Sequence, residues 1–471
     1  MISDNIINNN SKYVDLIANR ILIFGLLFSF FIIISPESIS VKTGMKIYGG
    51  LCIILLVKTF LSKKITTLGP AHILILYTLV SSFGYDMLVL FGGDFFFNTI
   101  SSIRHAYLDY FNQANALFFV GTTVLVYGVT SVQKCNVYNS VELKEILSFG
   151  AFERDLYLKI SLVIVSLYSL ILLFAVVTGR IPLTSYADVR DWFSTQPLLA
   201  YLLRLTWVSI PTYFFFVESK QEYFKLFIPL GIMFFILMLS GNRNEVLYPA
   251  AVATGVFIWK RYHFQDRHKL PKTVIVGAVI IVFILNPLIS STRQSGLSIS
   301  NLLTGNFGVS NALLELGQQI NPFSIILYAL DQEVTSFKYG MTFLVPTISI
   351  LSLNLIWGTS VYNSSINYNP TLLLNSLGHY GRGFSFIAEF YYNFGIFGMV
   401  ICMILIGRYM GKRENDTISK RKLLFYFQIM PLFMIISRNI CGYNILIIVF
   451  ACILNLYVQI MAQIMAQRNR R

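Results

Sequence analysis

Apolar runs near twenty residues recur along the whole chain, with polar connections between them. Each is long enough to cross a ~30 Å hydrocarbon layer as a helix. Regular apolar–polar alternation at period two is absent, which argues against a membrane barrel. The pattern predicts an all-α, polytopic membrane protein with about twelve transmembrane helices, at residues 18–35, 45–62, 71–91, 113–133, 157–177, 198–217, 225–240, 245–260, 273–290, 388–407, 423–438 and 441–462. No internal repeat or low-complexity tract interrupts the series, so residues 1–471 read as one integral membrane domain. The first apolar run follows a polar stretch and ends in Ser35-Pro36-Glu37, not in a small-x-small cleavage site. It is expected to be the first span, not a cleaved signal.

Residues 291–387 break the rhythm. They contain one further apolar run, 341–357, and a shorter one, 322–330. If 341–357 alone crossed, the basic segment 408–422 would move to the opposite side. The run therefore either lies along the outer surface or crosses together with 322–330, which is short for a span. The preferred reading is a large external loop carrying interfacial helices, a segment too long for a mere connector.

Composition strengthens the membrane reading: 55% of residues are hydrophobic and 12% charged, too apolar for a soluble chain of this length. The formal net charge of +14 would suggest nucleic acid in a soluble protein. Here cytoplasmic loops account for it, and no nucleic-acid partner is expected. With both termini inside, about 25 Lys and Arg fall on the cytoplasmic side and about 11 outside. Segments 260–272 and 408–422 dominate that bias. Four of the five cysteines, Cys52, Cys402, Cys441 and Cys452, lie in apolar runs, and no CxxC pair occurs. Neither a metal site nor a disulfide framework is supported.

A second bias concerns residue type. The outward basic residues are mostly arginine: Arg104, Arg180, Arg190, Arg204, Arg243, Arg293, Arg382 and Arg438. Arginine offers a planar fork to phosphate oxygens and keeps its charge when partly desolvated. Several sit near membrane depth, where a charge is costly. The set points to an anionic ligand such as a lipid diphosphate, and snorkelling or loop packing is the alternative for any single member.

Three segments carry detail. Residues 178–192 combine Arg180 and Arg190 with Asp188, Asp191 and Trp192, an aromatic suited to stacking on a sugar; simple pairing of the acids with the arginines is the other reading. Ser240-Gly-Asn-Arg243-Asn-Glu245 is a tight turn that pins Arg243 near the bilayer surface, or merely places a basic residue in a turn. The third runs from Gly378-His379 through Arg382, Ser385 and Glu389 to Asn393 and Gly398. Here an acid lies inside a helix start, below an arginine and a histidine. It is a functional candidate by default, with a structural tie to one of the arginines as its alternative.

These three segments, with the large outer loop before the last helices, resemble the Wzy-type oligosaccharide repeat-unit polymerases, the O-antigen and capsular polysaccharide polymerases of bacteria. The resemblance implies a glycosyltransferase in the cytoplasmic (inner) membrane, active on its outer face. Its substrate would be a glycan on undecaprenyl diphosphate, and a flippase and a chain-length regulator are the implied partners. At residue level it covers Arg190, Arg243 and Glu389.

The chemistry is consistent with that resemblance. Attack at an anomeric carbon puts negative charge on the departing diphosphate, which cations must neutralise. The loop 35–44 has Glu37 alone and lacks paired acids for a metal, so metal-independent transfer without a cofactor is expected. Arg190, Arg243, Arg293 and Arg438 are assigned to the diphosphate and nearby anionic groups, and Arg180, Arg382 and Trp192 to further substrate contacts. Glu389 is the first candidate base and His379 the second. Tyr362, Asn363, Asn367, Tyr368 and Asn369 are candidate sugar contacts or ordinary loop residues. An O-antigen ligase, which differs in its acceptor, and a flippase or other transporter of lipid-linked glycan are the competing readings.

Overall fold

The apolar runs fold as helices wherever the computed structural model describes them. Those residues are 2–61, 69–92, 105–132, 149–181, 192, 195–239, 244–265, 313–314, 316–351, 368–378, 383–414, 419–439 and 441–468. Among them there is no strand. The helices are α1 (Ile2–Ile34), α2 (Val41–Leu61), α3 (Pro70–Leu90), α4 (Phe111–Val132), α5 (Ala151–Val177), α6 (Pro197–Phe216), α7 (Lys220–Leu239), α8 (Asn244–Gln265), α9 (Ile320–Asp331), α10 (Met341–Leu351), α11 (Pro370–Ser376), α12 (Phe386–Glu414), α13 (Lys420–Ile436) and α14 (Leu446–Arg468). Eleven of the twelve expected spans fall on these helices, and 273–290 lies outside the described residues. Among the described residues eight helices, α1 to α6, α12 and α14, are long and apolar enough to cross a membrane.

Side-chain ties gather alternate helix ends into two layers, as a chain crossing back and forth requires. At one end, Glu414 closes α12. Its Oε1 accepts the Ala71 N–H at 2.7 Å and the Tyr426 hydroxyl at 2.9 Å, while its backbone carbonyl accepts the Trp259 indole N–H at 3.0 Å. Four helices, α3, α8, α12 and α13, are thus fastened by one residue. In the same layer Lys58 reaches Asp15 at 2.7 Å, and Lys260 donates to the Val217 carbonyl at 2.7 Å.

Arg154 makes a forked contact there with Glu222, at 2.9 and 3.0 Å. Burial pushes the Glu222 carboxyl up. The N–H groups of Glu218 and Ser219 and the Arg154 charge outweigh it and hold the carboxyl below its ordinary value. At the opposite end, Asn112 donates to the carbonyls of Pro36 and Ile39 at 2.9 and 2.8 Å. The layers are called below the Glu414 end and the Glu389 end.

Two elements depart from a plain bundle. The span expected at 388–407 is broken: Gly395 in α12 has φ +66° and ψ −168°, a conformation open essentially to glycine alone. Phe394 folds back so closely on Gly398 that a side chain there would collide with it. The apolar periodicity runs through the bend, because both halves have apolar surroundings. Beyond it, α12 packs on α4 through small residues, and a Cβ on Gly407 would lie 2.5 Å from the Leu125 carbonyl oxygen.

The second departure is α9, which packs into the bundle. Ile320, Phe323, Ile325 and Ile326 are fully buried, and the Phe323 ring meets Phe118 of α4 edge-on at 4.9 Å. Twelve residues give α9 a length of about 18 Å, too short to cross alone, and the eleven of α10 give less.

Candidate functional site

The turn joining α13 to α14, residues 437–445, carries the first of two arginines that meet at the Glu389 end. Arg438 leaves the last turn of α13, its N–H bonded to the Ile435 carbonyl at 3.1 Å. Its half-buried guanidinium interacts with the Tyr77 hydroxyl and lies close to Tyr248 and Tyr85. Tyr77 and Tyr248 are themselves within 3.3 Å through their hydroxyls.

The second is Arg204 on α6. Its Nη2 donates to Asn444 Oδ1 at 3.0 Å, and its guanidinium stacks over the Trp207 ring at 4.8 Å. Trp207 in turn donates its indole N–H to the Glu245 carbonyl at 2.8 Å, in the first turn of α8. The Glu245 side chain is near enough to feel the Arg204 charge without forming an ion pair with it. Arg204, through Trp207, and Arg438, beside Tyr77 and Tyr248, are therefore both linked to the first turns of α8, where backbone N–H groups and the helix dipole also favour an anion.

This end of α8 is recessed. Gly255 packs on Pro70 and Tyr248 on Tyr77, a register that sets Asn244 level with Ser81 of α3. Leu90 ends α3 about 13 Å farther out. The opening of α12 is recessed as well, since Ile387 packs on Gly121, about 15 Å inside the start of α4.

Glu389 is fully buried beside this turn. Its Oε1 accepts the Thr342 hydroxyl at 2.8 Å, and its Oε2 accepts the backbone N–H of Cys441 at 2.8 Å. Asn393, one turn on, donates to Thr342 Oγ1 and to the Glu389 carbonyl, both at 2.7 Å, and accepts the Gly340 N–H at 3.0 Å. Ser385 caps the helix start, its hydroxyl accepting the Ile387 N–H at 3.2 Å. Gly383 lies flat against the Arg438 carbonyl, where any side chain would overlap it.

Of the residues singled out in the sequence, Glu389 and Arg438 are thus brought together through the Cys441 turn. Arg180 is exposed just beyond the end of α5 and lies over the Phe174 ring at 5.8 Å. Trp192 is half-buried against the core shortly before α6. Arg190, Arg243, Arg293, His379 and Arg382 lie outside the described residues, as do Tyr362, Asn363 and Asn367. Asn369 is an N-cap, accepting the Thr371 N–H at 3.0 Å at the start of α11.

Three things escaped the sequence: the clasp of Thr342 and Asn393 on Glu389, the pairing of Arg204 with Asn444, and Asp86. The last is a fully buried acid of α3 bonded to Asn115 at 2.8 Å, and its signal was a lone carboxylate in an apolar run. Among the described residues no three His, Cys, Asp or Glu side chains gather as metal ligands.

Helices that cross in alternation, one of them broken at depth, and two recessed arginines at one end define a polytopic membrane protein with a polar site inside the bundle. Residues 17–469 match the family described as O-antigen polysaccharide polymerase Wzy, and the chain belongs to that family. It is also 24% identical over 355 residues to Protein CapE of Staphylococcus aureus, covering 75% of this chain and 76% of that one. No solved structure matches it. The protein is therefore a membrane polymerase of polysaccharide biosynthesis.

Proposed function

We propose that the chain joins oligosaccharide repeat units carried on undecaprenyl diphosphate, on the outer face of the bacterial cytoplasmic membrane. The Glu389 end then faces outward and both termini face the cytoplasm, the orientation favoured by the charge bias of the loops. The observation that carries the proposal is the gathering of Arg204 and Arg438 at the recessed first turns of α8, held by Asn444 and Tyr77.

An acceptor hydroxyl attacks the anomeric carbon of the donor, and the bond to the diphosphate breaks with its electrons staying on the leaving oxygen. Two guanidinium groups below the rim neutralise that charge where water competes weakly. This is metal-independent transfer in the proposal. Arg190, Arg243, Arg293 and Arg382 supply further contacts to the lipid-linked substrate, and Trp192 a face for a sugar. Of the two candidate bases, His379 takes the acceptor proton. A flippase delivers the substrate, and a chain-length regulator works alongside.

The test replaces Arg438 with Ala in the chromosomal gene. Long-chain polysaccharide should disappear while single repeat units still reach their final carrier, the pattern that separates a polymerase from a ligase. Wild-type chain length at a normal protein level would remove Arg438 from the site.

A further inference from the structure

We infer that Glu389 is a positioning residue, the centre of a clamp that sets the arginine-bearing turn 437–445 in place, and not the base of the transfer reaction. The inference rests on the diphosphate reading above and assigns to the whole segment 383–393 one mechanical task.

Gly383, Glu389 and Asn393 of that segment are turned toward the turn or toward the α10 start that backs it. Gly383 has no side chain because the Arg438 carbonyl occupies the space a Cβ would need. Six residues later, Glu389 grips Cys441, three residues beyond Arg438, through the 2.8 Å bond from its backbone N–H. The segment therefore holds the turn on both flanks of the Asn439 position. The second carboxylate oxygen is held by Thr342, and Asn393 fixes Thr342 and Gly340 from the other side. Thr342 Oγ1 donates to Glu389 and accepts from Asn393, so its proton has one direction to point.

The backbone around it is pinned as well. The N–H groups of Lys338 and Tyr339 reach the carbonyls of Tyr392 and Asn393 at 3.1 and 2.9 Å. A general base must have an oxygen within reach of an acceptor hydroxyl, directly or through one water. Both Glu389 oxygens instead face protein donors, and the residue has 0% exposure. What a carboxylate does here is accept the main-chain N–H of Cys441, just ahead of the 3-10 turn Gly442–Ile445, and so fix the turn that presents Arg438 and, through Asn444, Arg204.

The experiment uses the full chain in lipid nanodiscs, with undecaprenyl diphosphate as the binding probe and polymer formation as the activity. Glu389→Gln keeps an acceptor oxygen for Cys441. It should bind the probe within about threefold of wild type and keep the wild-type pH–rate profile. Glu389→Ala and Thr342→Val should weaken the probe, and Glu389→Ala combined with Arg438→Ala should bind little worse than Arg438→Ala alone, because the two act on one contact.

A fall of about 100-fold or more in the rate of Glu389→Gln, with probe binding intact and the acid limb of its pH profile lost, would establish a base and overturn the clamp. Full additivity of the double variant would overturn it too. Unaltered probe binding in Arg438→Ala would instead sink the diphosphate reading itself. Weakened binding there, with unchanged binding in Glu389→Ala, sinks the clamp alone. Should Glu389→Ala fail to fold, Glu389→Gln and Thr342→Val still decide.

Discussion

Arg204 and Asn444, 240 positions apart, are joined by a 3.0 Å bond from Nη2 to Oδ1, and the same guanidinium stacks on Trp207. An amide oxygen can orient a guanidinium without neutralising it, which leaves the charge available to a ligand. A carboxylate in its place would compete with phosphate. Asn444→Asp should therefore weaken undecaprenyl diphosphate binding by about tenfold or more, whereas Asn444→Leu, which only releases the guanidinium, should cost less. Arg204→Lys loses both the fork and the flat face and should behave like Asn444→Asp. Titration of nanodisc-embedded protein with the lipid checks all three, and equal affinities would remove Arg204 from the site.

The break in α12 makes a second prediction. Gly395 sits at φ +66° and ψ −168°, where a Cβ adds about 1–3 kcal/mol of strain. Gly395→Ala should lower the thermal midpoint of the purified protein measurably. Gly398→Ala should do so by a different route, collision with Phe394. The effect on activity should exceed the effect on stability for Gly395→Ala, because the bend sets the half-helix that bears Glu389 and Asn393. A variant straightened at no cost in either measure would show the bend to be incidental.

The helices were readable because a membrane span must be apolar along its length, and that signal survives any tertiary arrangement. The bend at Gly395 was not, since glycine is common in membrane helices. What makes this one a break is a backbone angle that the residue permits but does not demand. Glu389 was legible as an acid in the wrong solvent, yet its partners Thr342 and Cys441 lie 47 and 52 positions away. The local spacing with Ser385 described only a helix start. Arg204 was counted among the outward arginines and left out of the site, because the bond that enlists it comes from the last loop of the chain. Arg180, beyond the end of α5, lies over the Phe174 ring of that helix, a contact six positions back that the neighbouring Arg190, Asp188 and Asp191 in sequence did not suggest.

At the Glu414 end, the Arg154–Glu222 pair gives a pH dependence of stability. Glu222 is held below its ordinary value in the folded chain, so its contribution is fully present above the ordinary carboxylate range of about 4.3. It is lost as pH falls through that range toward the lower folded value. Wild type should be more heat-stable than Glu222→Gln near neutral pH, and the two curves should draw together as pH falls below the ordinary carboxylate range. A gap that stays constant across that window would mean the carboxylate charge contributes nothing.

Glu414 supports the longest-range prediction about the fold. The Ala71 N–H belongs to the first turn of α3 and has no partner within its own helix. A carboxylate 343 positions away supplies one and also takes the Tyr426 hydroxyl. Glu414→Gln keeps the oxygen that serves both donors, so it should cost little. Glu414→Leu leaves two buried donors unmade, at roughly 1–3 kcal/mol each, and should reduce the thermal midpoint and the amount of protein in the membrane sharply. Polymer length per molecule of surviving protein should stay at the wild-type value, because the site lies in the other layer of the bundle. If Glu414→Leu instead altered chain length at full stability, the two ends would be coupled through α12, and the bend at Gly395 would be the place to look for the coupling.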